Sequence, residues 1–404
     1  MKRKMPIIVG IDWSREKHQV NLFTQRGDPI IRFEIDHTKK GFTQLTTKLS
    51  GFGLPADQIM IGIETNHNQL VDYLQAQGYV IYVIAPSVVK GNRSRQSHSG
   101  AKNDSKDADL IADILRTDRR RMIPWRPDDP LTRKIRYQLT LIDDLTQAIS
   151  QGRNRLDAQL WRYFPQATNV FSDLTNKITL KMLIEYPTPS AVANLDLDTF
   201  RQFCQDNRYT RKKSIPERFV RLKRETPFDH EDAEFIYASS VPALARRLLH
   251  DVELKQQMIK ELQLSFWEHE DASIFHSLPG AGDLLAPKML SIFGDCRDRY
   301  PSPDMVRALA GTCPATSQSG KKRGVFFRFA CNHAWRNAFQ QFATSSVSAS
   351  DWAATYFEES RLRGHKRSHA YRNLANRWVG IIWTLWQRRH SYDEAVHLQH
   401  RRFS

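Results

Sequence analysis

Short apolar runs and helical spacings alternate along the first part of the chain. Apolar runs bounded by turn residues predict strands in PIIVGID, QIMIGIE and YVIYVIAP, and two more joined by a Gly-containing turn in HQVNLFTQRGDPIIRFEID. GFTQLTTKLSGFG and NQLVDYLQAQG have the spacing of helices. The order strand, hairpin, helix, strand, helix, strand is typical of a mixed sheet covered by helices, so an α/β domain is expected here.

The pattern changes at Asp128, where Asp128, Asp129 and Pro130 form a helix start signal. Apolar residues then recur in steps that suit a helix hairpin or a coiled-coil arm, namely Ile135, Leu139, Ile142, Leu145, Ile149, Leu156 and Leu160. A second helical stretch, roughly Pro242 to His269, is a candidate partner for the first. Such an arm would act as a spacer or a dimerisation element.

Three regions are therefore expected. Residues 1–127 form the α/β domain, residues 128–270 a helical coiled-coil and linker region with a basic insertion, and residues 271–404 a mostly helical domain. The insertion contains RYTRKKSIPERFVRLKR, which is either a solvated face or a phosphate-contacting one. The mixed pattern of residues 165–242 predicts no definite element and leaves their role open.

Composition favours a polyanionic partner. The chain has 60 Lys and Arg against 44 Asp and Glu, a net charge of +16, and nucleic acid is the commonest partner of so basic a chain. Hydrophobic residues make up 40%, enough for packed cores and too many for a disordered chain. Without an apolar run long enough to span a bilayer, and with four widely spaced cysteines, a cytoplasmic protein that does not enter a membrane is expected.

Acidic residues within this basic chain point to a metal site. Asp12 ends the first strand, Glu64 ends IMIGIE, and Asp104 and Asp107 lie in the first turn of the helix predicted by AKNDSKDADLIADILR. Each alone is explained by a turn or a helix cap. Together, carboxylates at the ends of neighbouring strands and on an adjacent helix would need cations to neutralise them, and their oxygens suit Mg²⁺ or Mn²⁺. Such ions can assist cleavage of a phosphodiester.

These segments resemble a known family. VGIDWS, IGIET and AKNDSKDADLIADIL are similar to the RuvC-like, ribonuclease H-like DEDD domain of a family of bacterial insertion-sequence transposases. LPGAGDLLAPKMLSIFGD, RYPSPDMVRALAGTCPATSQSGKKRG and the closing segment from Asp351 to Trp386 resemble its C-terminal transposase domain. The resemblance covers most of the chain, in the expected order, but leaves residues 165–242 unexplained.

The resemblance implies a DNA recombinase that uses the metal-binding carboxylates Asp12, Glu64, Asp104 and Asp107 together with a serine nucleophile. Ser319 is the candidate, with Ser317 as the alternative; an ordinary exposed loop is the plain interpretation of the same segment. A phosphoserine link to DNA would then form during strand exchange. The residues proposed to contact nucleic acid are Lys102, Lys106, Lys321, Lys322 and Arg323.

The family also implies partners: double-stranded donor and target DNA, a structured guide RNA, and a dimer that assembles into a tetramer. The basic stretches Arg93 to Arg126, Arg208 to Arg224 and Arg361 to Arg377 are candidate nucleic-acid surfaces. Which of them binds RNA and which binds DNA is left open. The Gly-rich LPGAGDLLAPKML either offers backbone N–H groups to a phosphate or lets two helices pack closely.

Three other functions fit parts of the pattern. A RuvC-like junction endonuclease would use the same carboxylates with water as the nucleophile. A sugar or acetate kinase of the actin-like fold also opens with a strand ending in Gly-x-Asp, but the basic charge and the Asp104–Asp107 pair argue against it. A nucleic-acid-binding protein without catalysis would need no metal.

Overall fold

The computed structural model describes residues 6–66, 68–92, 104–225, 231–319, 322–395 and 398, with the backbone only at 104, 105, 231, 233, 319, 322 and 323. The chain divides into two compact units, Met1–Pro127 and Asp128–Ser404, which are termed the first and the second unit below. The expected division of the second unit at residue 270 stays a prediction.

A five-stranded mixed sheet forms the centre of the first unit. Its strands are β1 Ile7–Trp13, β2 Lys17–Phe23, β3 Pro29–Asp36, β4 Ile59–Ile63 and β5 Val80–Val83, in the order β3-β2-β1-β4-β5. Strands β1, β2 and β3 pair antiparallel, whereas β4 and β5 run parallel to β1. The five strands predicted from the sequence are confirmed.

Helices cover both faces of this sheet. They are α1 Lys39–Ser50, α2 Gln69–Ala76, α3 Pro86–Asn92 and α4 Asp104–Asp118. Helices α1 and α2 share a core with Val9 and Ile11, while α3 and α4 share one with Ile8 and Met60 on the other face. This arrangement confirms the predicted RuvC/ribonuclease H-like fold class. Helix α3 was missed by the sequence analysis.

The second unit is mostly helical. Two long helices run through it, and eleven shorter helices and a hairpin complete its described part: α5 Pro130–Tyr163, α6 Lys177–Glu185, α7 Pro189–Ala193, α8 Leu197–Asp206, α9 Ile215–Leu222, α10 Glu231–Tyr237, α11 Ser240–Trp267, α12 Ala272–His276, α13 Gly282–Phe293, α14 Pro303–Leu309, β6 Ala315–Ser319, β7 Lys322–Phe326, α15 His333–Ser346, α16 Asp351–Leu362 and α17 Arg367–Arg388. Asp129 caps α5 by accepting hydrogen bonds from the backbone N–H groups of Leu131 and Thr132.

The predicted arm is the pair α5 and α11. The two helices pack along each other, and Gly152 lets them approach closely, because a Cβ there would lie 2.5 Å from Leu248 Cδ2. Ile135 and Leu262 belong to the same core as α12 to α17, whereas Leu156 and Leu248 belong to a second core. The arm therefore connects two hydrophobic cores.

That second core explains residues 165–242. Helix α6 packs against α11, α8 packs against α9, and all three helices share this core with the far part of the arm through the buried Leu183, Phe200 and Phe203. The segment is a helical insertion rather than a linker. None of the helices in the described part of the chain is both long and apolar enough to cross a membrane.

Candidate active site

Asp12 and Glu64 come at equivalent places on neighbouring strands. Strands β1 and β4 are parallel, and Ile11 pairs with Ile63, so the two acidic residues follow at adjacent positions where the strands end. Side chains alternate between the faces of a strand, and Ile8 and Met60 pack under α4. By that alternation, Asp12 and Glu64 lie on the face covered by α4.

Two glycines allow α4 to lie directly on this face. A Cβ at Gly10 would lie 2.0 Å from the Ala108 carbonyl oxygen, and one at Gly62 would lie 2.9 Å from Ile111 Cγ2. Each glycine precedes an acidic residue by two positions, in Gly-Ile-Asp and in Gly-Ile-Glu. That repeated spacing is a signal for close helix packing that is visible in the sequence.

The direction of α4 brings its first turn to the carboxyl ends of β1 and β4. Ala108 lies against Gly10, whereas Arg116, two turns later, lies against Gly27 near the amino end of β1. The helix therefore runs antiparallel to β1. Its first residue, Asp104, and the buried Asp107 come before Ala108, on the side of Asp12.

Asp109 fixes this placement of α4. Its carboxylate accepts a hydrogen bond from Asn21 Nδ2 at 2.6 Å. It also accepts a bidentate pair of hydrogen bonds from Arg32, from Nε at 3.1 Å and from Nη2 at 2.8 Å. Asn21 and Arg32 are paired across β2 and β3. Asp109 is thus a positioning residue that ties α4 to the antiparallel half of the sheet.

The backbone arrangement fits a site for a hard divalent cation, because carboxylate-bearing positions from β1, β4 and α4 converge on one edge. The structure does not describe the side chain of Asp104. Among the side chains that it does describe, no group of three or more His, Cys, Asp or Glu is placed to hold a metal ion. The four-carboxylate ligand set of Asp12, Glu64, Asp104 and Asp107 therefore stays a prediction.

The candidate serine lies on a β-hairpin of the second unit. Ser319 is the last residue of β6 and pairs with Lys322 of β7, and the exposed Ser317 pairs with Gly324. The interpretation of this segment as an ordinary exposed loop is wrong at Ser319 itself, because paired strands reach that residue. Gly320 and Lys321 lie outside the described residues.

The five predicted nucleic-acid contacts are described by the structure to different extents. Lys106 is exposed on α4, and Lys102 and Lys321 lie outside the described residues. Only the backbone is described at Lys322 and Arg323, both on β7. All five contacts stay predictions.

The Gly-rich segment has a packing role. Gly280 has a φ of +77°, and a Cβ there would lie 2.8 Å from the backbone carbonyl oxygen of Ser345, near the end of α15. Only glycine fits a left-handed conformation with so close a backbone neighbour. The geometry supports the structural interpretation of LPGAGDLLAPKML.

Some basic side chains of the insertion bind backbone carbonyl oxygens within the fold. Arg218 donates to the Val170 carbonyl oxygen and lies over the Phe171 ring, and Lys223 donates to the carbonyl oxygens of Val192 and Ala193. The basic residues of this stretch that are exposed are Arg208, Arg211, Lys212, Lys213 and Arg224. They remain candidates for a phosphate-contacting surface.

Comparisons with known proteins decide the family. A family model for DEDD transposases, described as a transposase, matches residues 9–165. A second model, described as the transposase IS116/IS110/IS902 family, matches residues 272–358. The chain belongs to this transposase family. Transposases process DNA, so this transposase is a DNA-processing enzyme with DNA as its partner.

Several relatives extend the similarity over most of the chain. The transposase is 28% identical to the mini-circle putative transposase for IS117 of Streptomyces coelicolor, over 96% of each chain. It is 26% identical to an uncharacterized 44.8 kDa protein of insertion element IS116 from Streptomyces clavuligerus, over 78% of each. It is 30% identical to the putative transposase y4uE of Sinorhizobium fredii, over 51% of this chain and 58% of the relative.

Proposed function

We propose that this transposase cuts and rejoins DNA strands through a metal-dependent reaction in which Ser319 forms a transient phosphoserine link. The observation that supports it most is the convergence of Asp12, Glu64 and the first turn of α4 at one edge of the sheet. The family generally implies a divalent metal, which Mg²⁺ or Mn²⁺ would provide.

The residues that would hold the metal are Asp12, Glu64, Asp104 and Asp107. When bound, the metal would polarise a phosphoryl oxygen and stabilise the charge that develops during strand cleavage. The carboxylates' own part is to hold the ion, and the burial of Asp107 limits the water that competes for it. Gly10 and Gly62 keep α4 close enough for its first turn to take part.

The serine step conserves the energy of the phosphodiester. The Ser319 hydroxyl gives up its proton as its oxygen attacks phosphorus, the bond from phosphorus to one deoxyribose oxygen breaks, and that oxygen takes up a proton and leaves as a hydroxyl, so protons balance over the step. A hydroxyl of another strand then attacks the phosphoserine and releases the serine. Attack by water would end in hydrolysis instead, as in a junction endonuclease.

The partners we propose are double-stranded donor and target DNA and a structured guide RNA. The net charge of +16 and the exposed basic residues 211 to 213 support a polyanion-binding surface on the helical insertion. A homo-oligomer, a dimer that assembles into a tetramer on DNA, would cut the several strands that recombination requires.

The carboxylate assignment is tested by Asp12→Asn and Asp107→Asn, which remove a charge with little change in shape. Loss of a group that only orients a metal ligand typically lowers activity about 10- to 100-fold. Because these carboxylates would bind the metal directly, the rate of strand cleavage of a cognate DNA should fall by more than that. The melting temperature should stay unchanged or rise, because losing one carboxylate relieves repulsion. Asp57→Asn, an exposed residue of the same unit, is the control.

The assay measures nicked product with Mg²⁺, with Mn²⁺ and after chelation. Full cleavage by Asp107→Asn, or full cleavage in the presence of a chelator, would exclude the metal assignment.

A further inference from the structure

The end of strand β7 and the residues that follow it expose several large apolar side chains. Val325, Phe326 and Phe329 are 62, 60 and 76% exposed, although large apolar side chains seldom cluster on a soluble surface without a partner. The Phe329 ring packs edge-on against Phe327, with 4.8 Å between the centroids. Phe329 is therefore held in place while much of its ring faces solvent.

Positive charge surrounds the same aromatic residues. The guanidinium carbons of Arg336 and Arg372 each lie 4.7 Å from the centroid of the Phe327 ring. Arg336 donates to the backbone carbonyl oxygens of Arg328 and Phe329. Within the described part of the chain, neither Arg336 nor Arg372 forms an ion pair with a carboxylate.

This crowding of cations carries an electrostatic cost. Burial and the nearby charge of Arg336 lower the pKa of Arg372. Burial and the charges of His365 and Arg372 lower the pKa of His369 as well. An anion bound beside Arg336 and Arg372 would relieve their repulsion.

We infer that Phe326 and Phe329 form a stacking platform for bases of unpaired DNA, with Arg336 and Arg372 binding the adjacent phosphates. Exposed rings beside guanidinium groups that have no carboxylate partner among the described residues are the combination that binds single strands, since every base offers a flat face and every linkage a charge. A second copy of this basic chain is a poor occupant, because it would bring further positive charge to the same surface.

Because the platform lies on the hairpin that carries Ser319, we expect its ligand to be DNA rather than RNA. Here the inference rests on the proposed function. Phe326 pairs with Ala315, the first residue of β6, and Ser319 is the last residue of the same strand, about 13 Å further along it. A strand attacked by Ser319 has to be separated from its complement before it can be exchanged. The platform would hold bases on the same side of the hairpin, a short stretch of strand away from the cut, in their unpaired state.

The test compares the affinity of the full chain for a fluorescent 15-nucleotide single-stranded DNA, for the same sequence as a duplex, and for the same sequence as single-stranded RNA. Phe329→Ala should weaken binding of single-stranded DNA by about fivefold or more, the lower end of losing one base–aromatic stack. Duplex binding should change by less than about twofold, because paired bases cannot reach the ring. Phe329→Tyr should restore the affinity.

Phe235→Ala is the matched control, because Phe235 is 87% exposed on α10 of the helical insertion. Arg372→Gln should weaken binding of the single strand and reduce its salt dependence, since a phosphate contact is lost. Equal losses for single strand and duplex in Phe329→Ala, a loss of the same size in Phe235→Ala, or selective binding of the RNA would overturn the inference.

Binding is measured without metal and also in Ser319→Ala, so the result does not depend on catalysis. Loss of single-strand affinity in Phe329→Ala supports the platform even if Ser319 proves not to be the nucleophile. Normal affinity in Phe329→Ala overturns the platform even if the serine mechanism holds.

Discussion

At the scale of single residues, Asp128 and Asp295 form a hydrogen-bonded acidic pair in which each carboxyl group shifts the pKa of the other. Arg136 and Arg299 each donate to the Asp128 carboxylate at 2.8 Å. Burial alone would raise the pKa of Asp128, but hydrogen bonds from Asp295 and Arg299 and the charge of Arg136 outweigh it and lower the pKa to about 2. Burial and the Asp128 carboxylate raise the pKa of Asp295 to about 6.

Asp295 should therefore make stability fall as pH rises. Its folded pKa of about 6 lies above the ordinary value of 3.8, so the folded chain binds this proton more tightly than the unfolded chain does. Stability is lost between about pH 4 and pH 6. Asp295→Asn should remove this slope and stabilise the protein by about 1 kcal/mol at pH 8, after allowing for solvent screening.

Thermal unfolding from pH 4 to 8 checks this prediction, with a rise of roughly 2 °C expected for Asp295→Asn at pH 8. Asp298→Asn, an exposed neighbour, should keep the slope of the unmodified protein. A lower melting temperature for Asp295→Asn at pH 8 would show that the charged form of Asp295 stabilises the fold.

The sequence predicted the role of Asp129 but not that of Asp128. Asp129 caps α5 through hydrogen bonds to residues two and three positions later, which is a local pattern. Asp128 instead binds Arg299, 171 residues away, and a contact of that kind leaves no local signal. The same holds for Asp109, whose partners Asn21 and Arg32 lie 88 and 77 residues away.

At the scale of elements, strands and long helices could be predicted where periodicity was strong. The five strands of the sheet follow from apolar runs, and α5 from its three- and four-residue steps. The β6–β7 hairpin could not be predicted in this way, because Ala315–Ser319 reads ATSQS, without an apolar alternation. Its strands are defined by pairing with each other rather than by a buried face.

Helix α4 should depend on the absence of a side chain at Gly10. Gly10→Ala would place a Cβ 2.0 Å from the Ala108 backbone, and overpacking against a backbone typically costs about 1–3 kcal/mol. The helix must move away from β1 and take Asp107 with it. We expect both a lower melting temperature and loss of DNA cleavage.

Gly91→Ala is the matched control, because a Cβ at Gly91 has no neighbour within 4 Å and Gly91 lies in α3. It should leave cleavage intact and keep or raise stability, since alanine favours a helix. Normal cleavage by a stable Gly10→Ala protein would contradict the proposed role of α4.

At the scale of the whole molecule, the arm of α5 and α11 leaves apolar side chains exposed. Tyr137 on α5 and Leu264 and Trp267 on α11 are exposed, although this arm also joins the two cores of the second unit. An oligomer contact through the arm would cover them. The sequence predicted the arm but not the cores it joins, because those contacts link segments far apart in the chain.

Leu264→Glu should therefore shift the free protein from dimer towards monomer, and it should weaken the tetramer formed on DNA. The masses of the free protein and of its nucleic-acid complex, measured by light scattering, test this. Leu362→Glu, an equally drastic change at an exposed residue of α16, should leave both masses unchanged. A monomer of the unmodified protein in an active complex would contradict the oligomer.

The central claim is that Ser319 is the nucleophile, and one measurement addresses it directly. Cognate DNA labelled at each end is incubated with the protein, the metal and the guide RNA, then denatured and resolved for DNA that stays attached to protein. The unmodified protein should give an adduct that peptide mapping assigns to Ser319. Ser319→Ala should bind DNA normally without forming the adduct, and Ser317→Ala should form it. Strand exchange by Ser319→Ala, or an adduct mapped to Ser317, would contradict the assignment.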